Sequence, residues 1–373
     1  MSNSSTKVQN LFLEQFTAFE NATFDFCPGI NVLIGANATG KSHVMKAIYA
    51  LLKVREAAYR DKITTRDAIT YTIHNKLSAV FQAHLNLVRH GGKQASVRLN
   101  YEDTHIEFSI ELEQVDALLP DVLRELSGEY KLESPDFPAP VIYLPAQEYL
   151  SINKGFIATY SKRELPYDET YYDLSLALNA LPLRSDKLVE VKEIIAFLRQ
   201  IIAGKQENGV EIVTQENGRF KFSLPEGELD VHLVAEGYRK LATLLYLLRN
   251  GSLTKDSTLF WDEPEANLNP KLIVEVVRVL QKLASVGIQI FIATHDYLLS
   301  HELSLLAEYP SEKSVDVRFF ALHKPDRKAG VLVESGQTLA EIEHNLILEE
   351  FAAHYDRESN LFHQSQTANE PNQ

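Results

Sequence analysis

An α/β fold built on a mostly parallel sheet is what this sequence predicts, and three stretches predict it. "NVLIGANATGKSHVMKAIYALL" passes from an apolar strand pattern through a glycine loop into a helical pattern. "STLFWDEPEANLNP" carries a second apolar-leaning run that stops on Asp262 and Glu263. "VGIQIFIATHDYLLS" carries a third, which stops on Thr294, His295 and Asp296. Residues 233–294 as a whole alternate helix, strand, helix, strand, the order of a parallel sheet flanked by helices.

The first stretch holds the densest chemistry. Gly35, Ala36, Asn37, Ala38, Thr39, Gly40, Lys41 and Ser42 match G-x-x-x-x-G-K-[ST], a phosphate loop. Gly35 and Gly40 permit backbone angles that other residues avoid. The loop can then curl with its N–H groups turned towards phosphate oxygens. The N-terminus of the helix starting near Lys41 adds its dipole to the same anion, next to His43. Lys41 can reach the β- and γ-phosphates, and the Ser42 hydroxyl can ligate Mg²⁺. "INVLI" supplies the strand that the motif requires before it, and "SHVMKAIYALLKV" the helix after it.

Composition bounds the rest. The 373 residues are 45% hydrophobic and 24% charged, which is ordinary for a globular chain. The formal net charge of −14 argues against a general polyanion binder. Any grip on nucleic acid needs a local basic patch, and the one candidate cluster, around Lys162 and Arg163, reads better as a surface turn. One cysteine, Cys27, excludes an internal disulfide framework. No apolar run approaches the roughly 20 residues that cross a bilayer, and the polar start "MSNSSTKVQN" has no signal-peptide core. A cytoplasmic protein without a membrane partner is the expectation.

Along the chain, "VQNLFLEQFTAFENATFDF" reads as two strands around a turn near Glu20 and Asn21. Residues 61–90 read as further helix, and "ASVRLNYEDTHIEFSIELEQV" as a hairpin around Glu102 and Asp103. "VIYLPAQEYL" is a short buried strand followed by a loop. "YDETYYDLSLALNAL" and "SDKLVEVKEIIAFLRQIIAG" look helical. "VEIVTQENGRFKFSL" is a hairpin turning on Asn217 and Gly218. The polar end, residues 359–373, reads as a disordered tail.

Two adjacent carboxylates at the end of a buried strand are costly unless something binds them. In a phosphate-loop protein Asp262 can hold Mg²⁺, and Glu263 can polarise an attacking water. Strand alternation would send the pair to opposite faces, so they belong at the strand end. A helix cap before Pro264 is the competing reading. His295 follows Glu263 by one helix-plus-strand unit. It should therefore lie at the C-terminal edge of a neighbouring strand, where ligands gather in open α/β sheets.

Taken in order, the phosphate loop, "LPAQE", "VAEGYRKLATLL", "FWDEPEANLNP" and "ATHD" resemble an ABC-type ATPase of the SMC/RecF-like branch. More narrowly, they resemble the stand-alone AAA-labelled ATPases of bacterial anti-phage systems. The resemblance runs to about Phe351. It implies a P-loop NTPase head spanning residues 1–358. The core and an antiparallel β arm take about 1–145, a helical lobe about 150–230, and the second half of the core about 231–351. It implies ATP and Mg²⁺ as cofactors, and two heads sandwiching two ATP molecules, as a homodimer or a higher homo-oligomer. Gln147 then resembles the glutamine that reaches Mg²⁺, Asp262 the magnesium-binding aspartate and Glu263 the catalytic base. Asn267, Leu268 and Asn269 resemble the loop that crosses the dimer interface, and His295 the switch histidine. Ala235, Glu236, Gly237 and Lys240 occupy the signature segment that meets the partner's nucleotide. Ala235 departs from the family's serine, which predicts weaker closure or slower turnover. Thr17 stands where the family carries a basic residue.

The chain shows no second active site. The expectation is therefore an ATP-hydrolysing subunit that holds or regulates a separate effector, a nuclease or toxin, in anti-phage defence. A RecF-like DNA-repair ATPase is the alternative. A transporter subunit fits poorly, because more than a hundred residues separate the phosphate loop from Gln147.

Overall fold

The computed structural model describes residues 7–82, 87–89, 92–101, 104–113, 122–131, 138–162, 164–183, 188–204, 210–310, 315–326 and 329–368. Among them the central sheet runs in the order β14 (Leu332–Gly336), β13 (Val317–His323), β3 (Ile30–Gly35), β12 (Gln289–Thr294), β11 (Thr258–Asp262), β7 (Val141–Leu144). Every pairing is parallel except that of β14 with β13. β3, β7 and β12 are buried at every position, as parallel strands covered on both faces must be.

The period of two along these strands divides the core. Val32, Ile34, Trp261, Ile290 and Ile292 face α6 (Glu236–Arg249), α7 (Pro270–Ser285) and α8 (Tyr297–Glu308). Leu33, Tyr143, Phe260, Phe291 and Phe320 face α1 (Lys41–Arg60) and α2 (Arg66–Phe81) on the other side. The second face is closed further by an antiparallel arm. Its order is β2 (Asn21–Asp25), β1 (Val8–Glu14), β4 (Gln94–Tyr101), β5 (Thr104–Glu113), β6 (Val122–Lys131).

The predicted hairpins form as expected, β4 with β5 and β1 with β2. Glu102 and Asp103 lie outside the described residues. So does Arg163, while Lys162 is exposed, so the basic cluster is described only in part. Strand β6 was not expected; it completes the arm by pairing with β5. The lobe carries α3 (Phe156–Ser161), α4 (Glu169–Leu178) and α5 (Lys192–Ala203), and is helical only that far. Beyond it lies a three-stranded ribbon of β8 (Val213–Glu216), β9 (Arg219–Leu224) and β10 (Gly227–Asp230). Asn217 and Gly218 take φ of 52° and 75°, the two positive values that a type I′ hairpin needs.

The expected tail is corrected in part. Helix α9 (Leu346–Ala368) carries the chain through most of it. Ile347 anchors the helix on the core, and Phe351 packs on Tyr297 with centroids 4.2 Å apart. Residues 369–373 lie outside the described part. Among the described residues, no helix is long and apolar enough to cross a membrane.

Candidate functional site

Strand β3 brings the chain to the C-terminal edge of the sheet at Gly35, where φ is 145°. A Cβ there would sit 2.3 Å from the Leu322 carbonyl oxygen. Strand β13 thus packs so tightly against the loop's first residue that only glycine fits. Ala38 adds a left-handed turn, and the Thr39 hydroxyl donates to the Ala36 carbonyl at 2.9 Å. Ala36, Asn37 and Ala38 are exposed, so the rim of the loop is open. Gly40 precedes α1, and no side chain caps that helix end. Its first-turn N–H groups remain available to an anion, with the dipole behind them.

Lys41 is buried, and its ammonium donates to the Gly35 and Ala36 carbonyls at 2.8 and 2.9 Å. Burial holds its pKa below the usual lysine range, while the fields of Asp262, Glu263 and Glu265 work in the opposite direction. A desolvated ammonium beside open helix amides is suited to a polyphosphate. His43 is exposed, and its ring packs edge-on against Phe81, centroids 5.8 Å apart.

The carboxylates converge on the same edge. Asp262 is the last residue of β11, and its side chain is hydrogen-bonded to Ser42. The Tyr143 hydroxyl also donates to it, at 3.1 Å. Burial raises the Asp262 pKa, and these two hydrogen bonds oppose the rise. Glu263 has φ of 46°, a left-handed turn that breaks strand alternation immediately after Asp262. Its carboxylate lies 3.4 Å from Nδ1 of His295, just past the end of β12, the adjacent parallel strand. Ser42, the Asp262–Glu263 pair and His295, from three separate segments, are therefore neighbours. The Ser42 hydroxyl and the desolvated Asp262 carboxylate form an oxygen donor set of the kind Mg²⁺ prefers. Those two residues fit that ion.

Other expected residues are placed differently. Gln147 follows β7, next to β11, but it is exposed and its amide reaches the Tyr167 hydroxyl at 3.4 Å. Lys240, expected at a nucleotide, is buried and donates to the Glu263 and Ala266 carbonyls at 3.3 and 2.9 Å. The reason is its position on the core-facing side of α6, where a desolvated ammonium must find acceptors. Glu236 accepts from the Asn267 amide at 2.9 Å. A Cβ on Gly237 would meet Leu268 and Leu272, each at 2.6 Å. Within one chain, the signature segment thus clasps residues 263–272. Ala235 is exposed and puts no side-chain cap on α6. Thr17 supplies no cation; its N–H donates to the Leu87 carbonyl at 2.7 Å.

Two residues of the site were missed. Tyr143 is paired with Phe260 in β11, and the signal for it was a polar-tipped aromatic in an otherwise aliphatic strand. Glu265 is buried and accepts from the Thr294 hydroxyl at 2.6 Å. Burial raises its pKa. It reads in sequence as one more acid of the segment "DEPE".

Comparisons with known proteins give a family and more distant likenesses. A family model described as "AAA domain" matches residues 10–219. Another, "AAA domain, putative AbiEii toxin, Type IV TA system", matches residues 160–300. The chain is similar to the DNA replication and repair protein RecF of Erwinia tasmaniensis, 29% identical over 100 residues, 26% of this chain and 27% of that protein. RecF of Limosilactobacillus fermentum is 38% identical over 73 residues, 20% of this chain and 18% of that protein. These matches span about a quarter or less of the relatives' own length. Among solved structures, the Smc head of Pyrococcus furiosus bound to the C-terminal domain of ScpA superposes with a TM-score of 0.46 at 14% identity, covering 92% of this chain and 99% of that one. RecF with a bound nucleotide analogue gives 0.37 at 16%, covering 85% and 96%. With a family model over more than half its length and a phosphate loop at the edge of its parallel sheet, this chain belongs to the AAA-domain family of nucleotide-binding proteins.

Proposed function

We propose that the chain is an SMC/RecF-type ATPase that binds and hydrolyses ATP, closes as a dimer around it, and thereby controls a separate effector protein. The observation that carries this is the meeting of Ser42, Asp262, Glu263 and His295 at the mouth of the phosphate loop. Lys41 and the α1 amides hold the triphosphate. Ser42 and Asp262 would hold Mg²⁺, which when bound neutralises charge on the β- and γ-phosphates. Glu263 takes a proton from the attacking water, and His295 orients the carboxylate and contacts the γ-phosphate. Lys240 and Glu236 act as positioning residues that set the turn carrying Glu263 and Asn267. Ala235 and Gly237 present the α6 N-terminus to the nucleotide of a second head.

The effector reading is supported by the likeness to a family described as a putative toxin system, and by the acidic charge, which suits a protein partner better than bare DNA. A nuclease or toxin in anti-phage defence is the partner class. The test is a pull-down of tagged Glu263→Gln protein from its host with Mg-ATP present. Recovery of a nuclease or toxin supports the reading, and recovery of the chain alone contradicts it. The RecF-type sequence match favours one alternative, DNA maintenance. That alternative requires DNA binding that weakens steeply with salt.

A further inference from the structure

On the far side of the phosphate loop from Asp262, three side chains converge that the nucleotide chemistry does not use. His323 ends β13, Glu334 lies in β14, and His344 follows in the connection to α9. One ligand atom from each lies within 4.8 Å of the other two. Antiparallel pairing of β13 with β14, which sets His323 opposite Leu332 and Ala321 opposite Glu334, puts the first two diagonally on one face. The third is drawn in by Glu334, whose carboxylate accepts the backbone N–H groups of Glu343 and His344 at 3.0 Å each and bonds Nδ1 of His344.

His323 is only 8% exposed, and its Nδ1 has no hydrogen-bond partner. A buried ring nitrogen without a partner is costly. The imidazoles of His323 and His344 lie face to face, centroids 4.3 Å apart. In-plane lone pairs of stacked rings run side by side, so the His344 ring must turn before both nitrogens face one ion.

We infer that His323, Glu334 and His344 form a site for a divalent transition metal of the zinc class, separate from the magnesium of the nucleotide site. Two imidazoles and a carboxylate suit zinc and its neighbours, whereas magnesium and calcium take oxygen ligands. In a tetrahedral shell with bonds of about 2.0–2.2 Å, ligand atoms lie about 3.3–3.6 Å apart. Binding must therefore reset these spacings, exchanging the hydrogen bond between Glu334 and His344 for ligation. The His344 and Glu334 side chains, 50% and 27% exposed, can rotate to do so while buried His323 stays fixed. Their exposure leaves the fourth position to water.

The location gives the site a consequence. Leu322, next to His323, pairs with Gly35 and crowds it. Val331, at the same turn end of the hairpin as His323, donates its N–H to the Ala18 carbonyl, beside the Phe19 ring that abuts Gly40. A metal clamping β13 to β14 braces the wall of the phosphate loop.

The test is titration of the chelator-stripped full chain with Zn²⁺ and Co²⁺, without nucleotide. The expected result is one equivalent bound, with visible Co²⁺ absorption of a four- or five-coordinate ion and a higher Tm. His344→Ala and Glu334→Gln, both at partly exposed positions, should keep the fold by circular dichroism and lose the equivalent. Asp262→Asn should retain it. No stoichiometric binding in the wild-type chain overturns the inference. So does binding that survives both variants, or that disappears only in Asp262→Asn.

Discussion

At the scale of single residues, the site is governed by desolvation. Burial lowers the pKa of Lys41 and raises that of Asp262. The signs fix a pH profile. Lys41 must be charged to hold phosphate, and it loses its proton below the ordinary lysine value of about 10.4. Affinity for Mg-nucleotide should therefore begin to fall before that pH on the alkaline side. Asp262 must be ionised to hold the metal, and it gains a proton above the ordinary aspartate value of about 3.9. Affinity should fall early on the acid side too. A binding titration across pH should show a bell with both limbs drawn inward, each reaching about tenfold per pH unit. A profile flat to both ordinary values would remove desolvation from the account. Ala235 tests the second head. A serine there could donate to the γ-phosphate, so Ala235→Ser should raise steady-state ATP turnover by about tenfold or more, one charge-assisted hydrogen bond being worth about 1.5–3 kcal/mol. An unchanged or lower rate contradicts a signature contact at that position.

At the scale of elements, the contact of β13 with the loop is the tightest constraint. Gly35→Ala places a methyl group against the Leu322 carbonyl at a positive φ. It should cost about 2–5 kcal/mol and weaken nucleotide binding together with stability. Equilibrium urea unfolding measures the first effect; loss of binding at unchanged stability would mean that the loop tolerates the methyl. Leu280→Ala in α7, fully buried among sheet-facing residues, should cost a similar 2–5 kcal/mol through a cavity without altering nucleotide affinity. These elements were also the most legible in sequence. The apolar runs at Ile34, Trp261 and Ile292 each end at or just before a residue of the candidate site; the polar residues at the other end of the first and third of these strands, Asn31 and Gln289, are buried and hydrogen-bonded to backbone. Asn217 and Gly218 announced their turn by backbone chemistry alone. Strand β6 and the continuation of α9 were not legible, because pairing and anchoring, which no local pattern records, hold them in place. Tyr143, Glu265 and the buried role of Lys240 were hidden for the same reason: each owes its place to a partner at least twenty residues away.

At the scale of the whole molecule, the site is assembled from segments brought together by one sheet. The signature segment at the start of α6 is tied by Lys240, Glu236 and Gly237 to the turn that carries Glu263 and Asn267. A second head that closes on this surface would touch both at once, which would link dimer closure to Glu263, the proposed base. Glu263→Gln, unable to take the proton, should then accumulate as a dimer with Mg-ATP and return to monomer with ADP. Light-scattering mass under the two conditions checks this, and the same mass in both would contradict nucleotide-driven closure.

The central claim is that these residues hydrolyse ATP, and single-turnover hydrolysis beside a binding measurement tests it most directly. The wild-type chain should release phosphate from bound ATP. Glu263→Gln should bind ATP with similar affinity and release phosphate at least about a hundredfold more slowly. Equal rates in the two proteins, or no phosphate released by the wild-type chain at saturating Mg-ATP, would contradict the account.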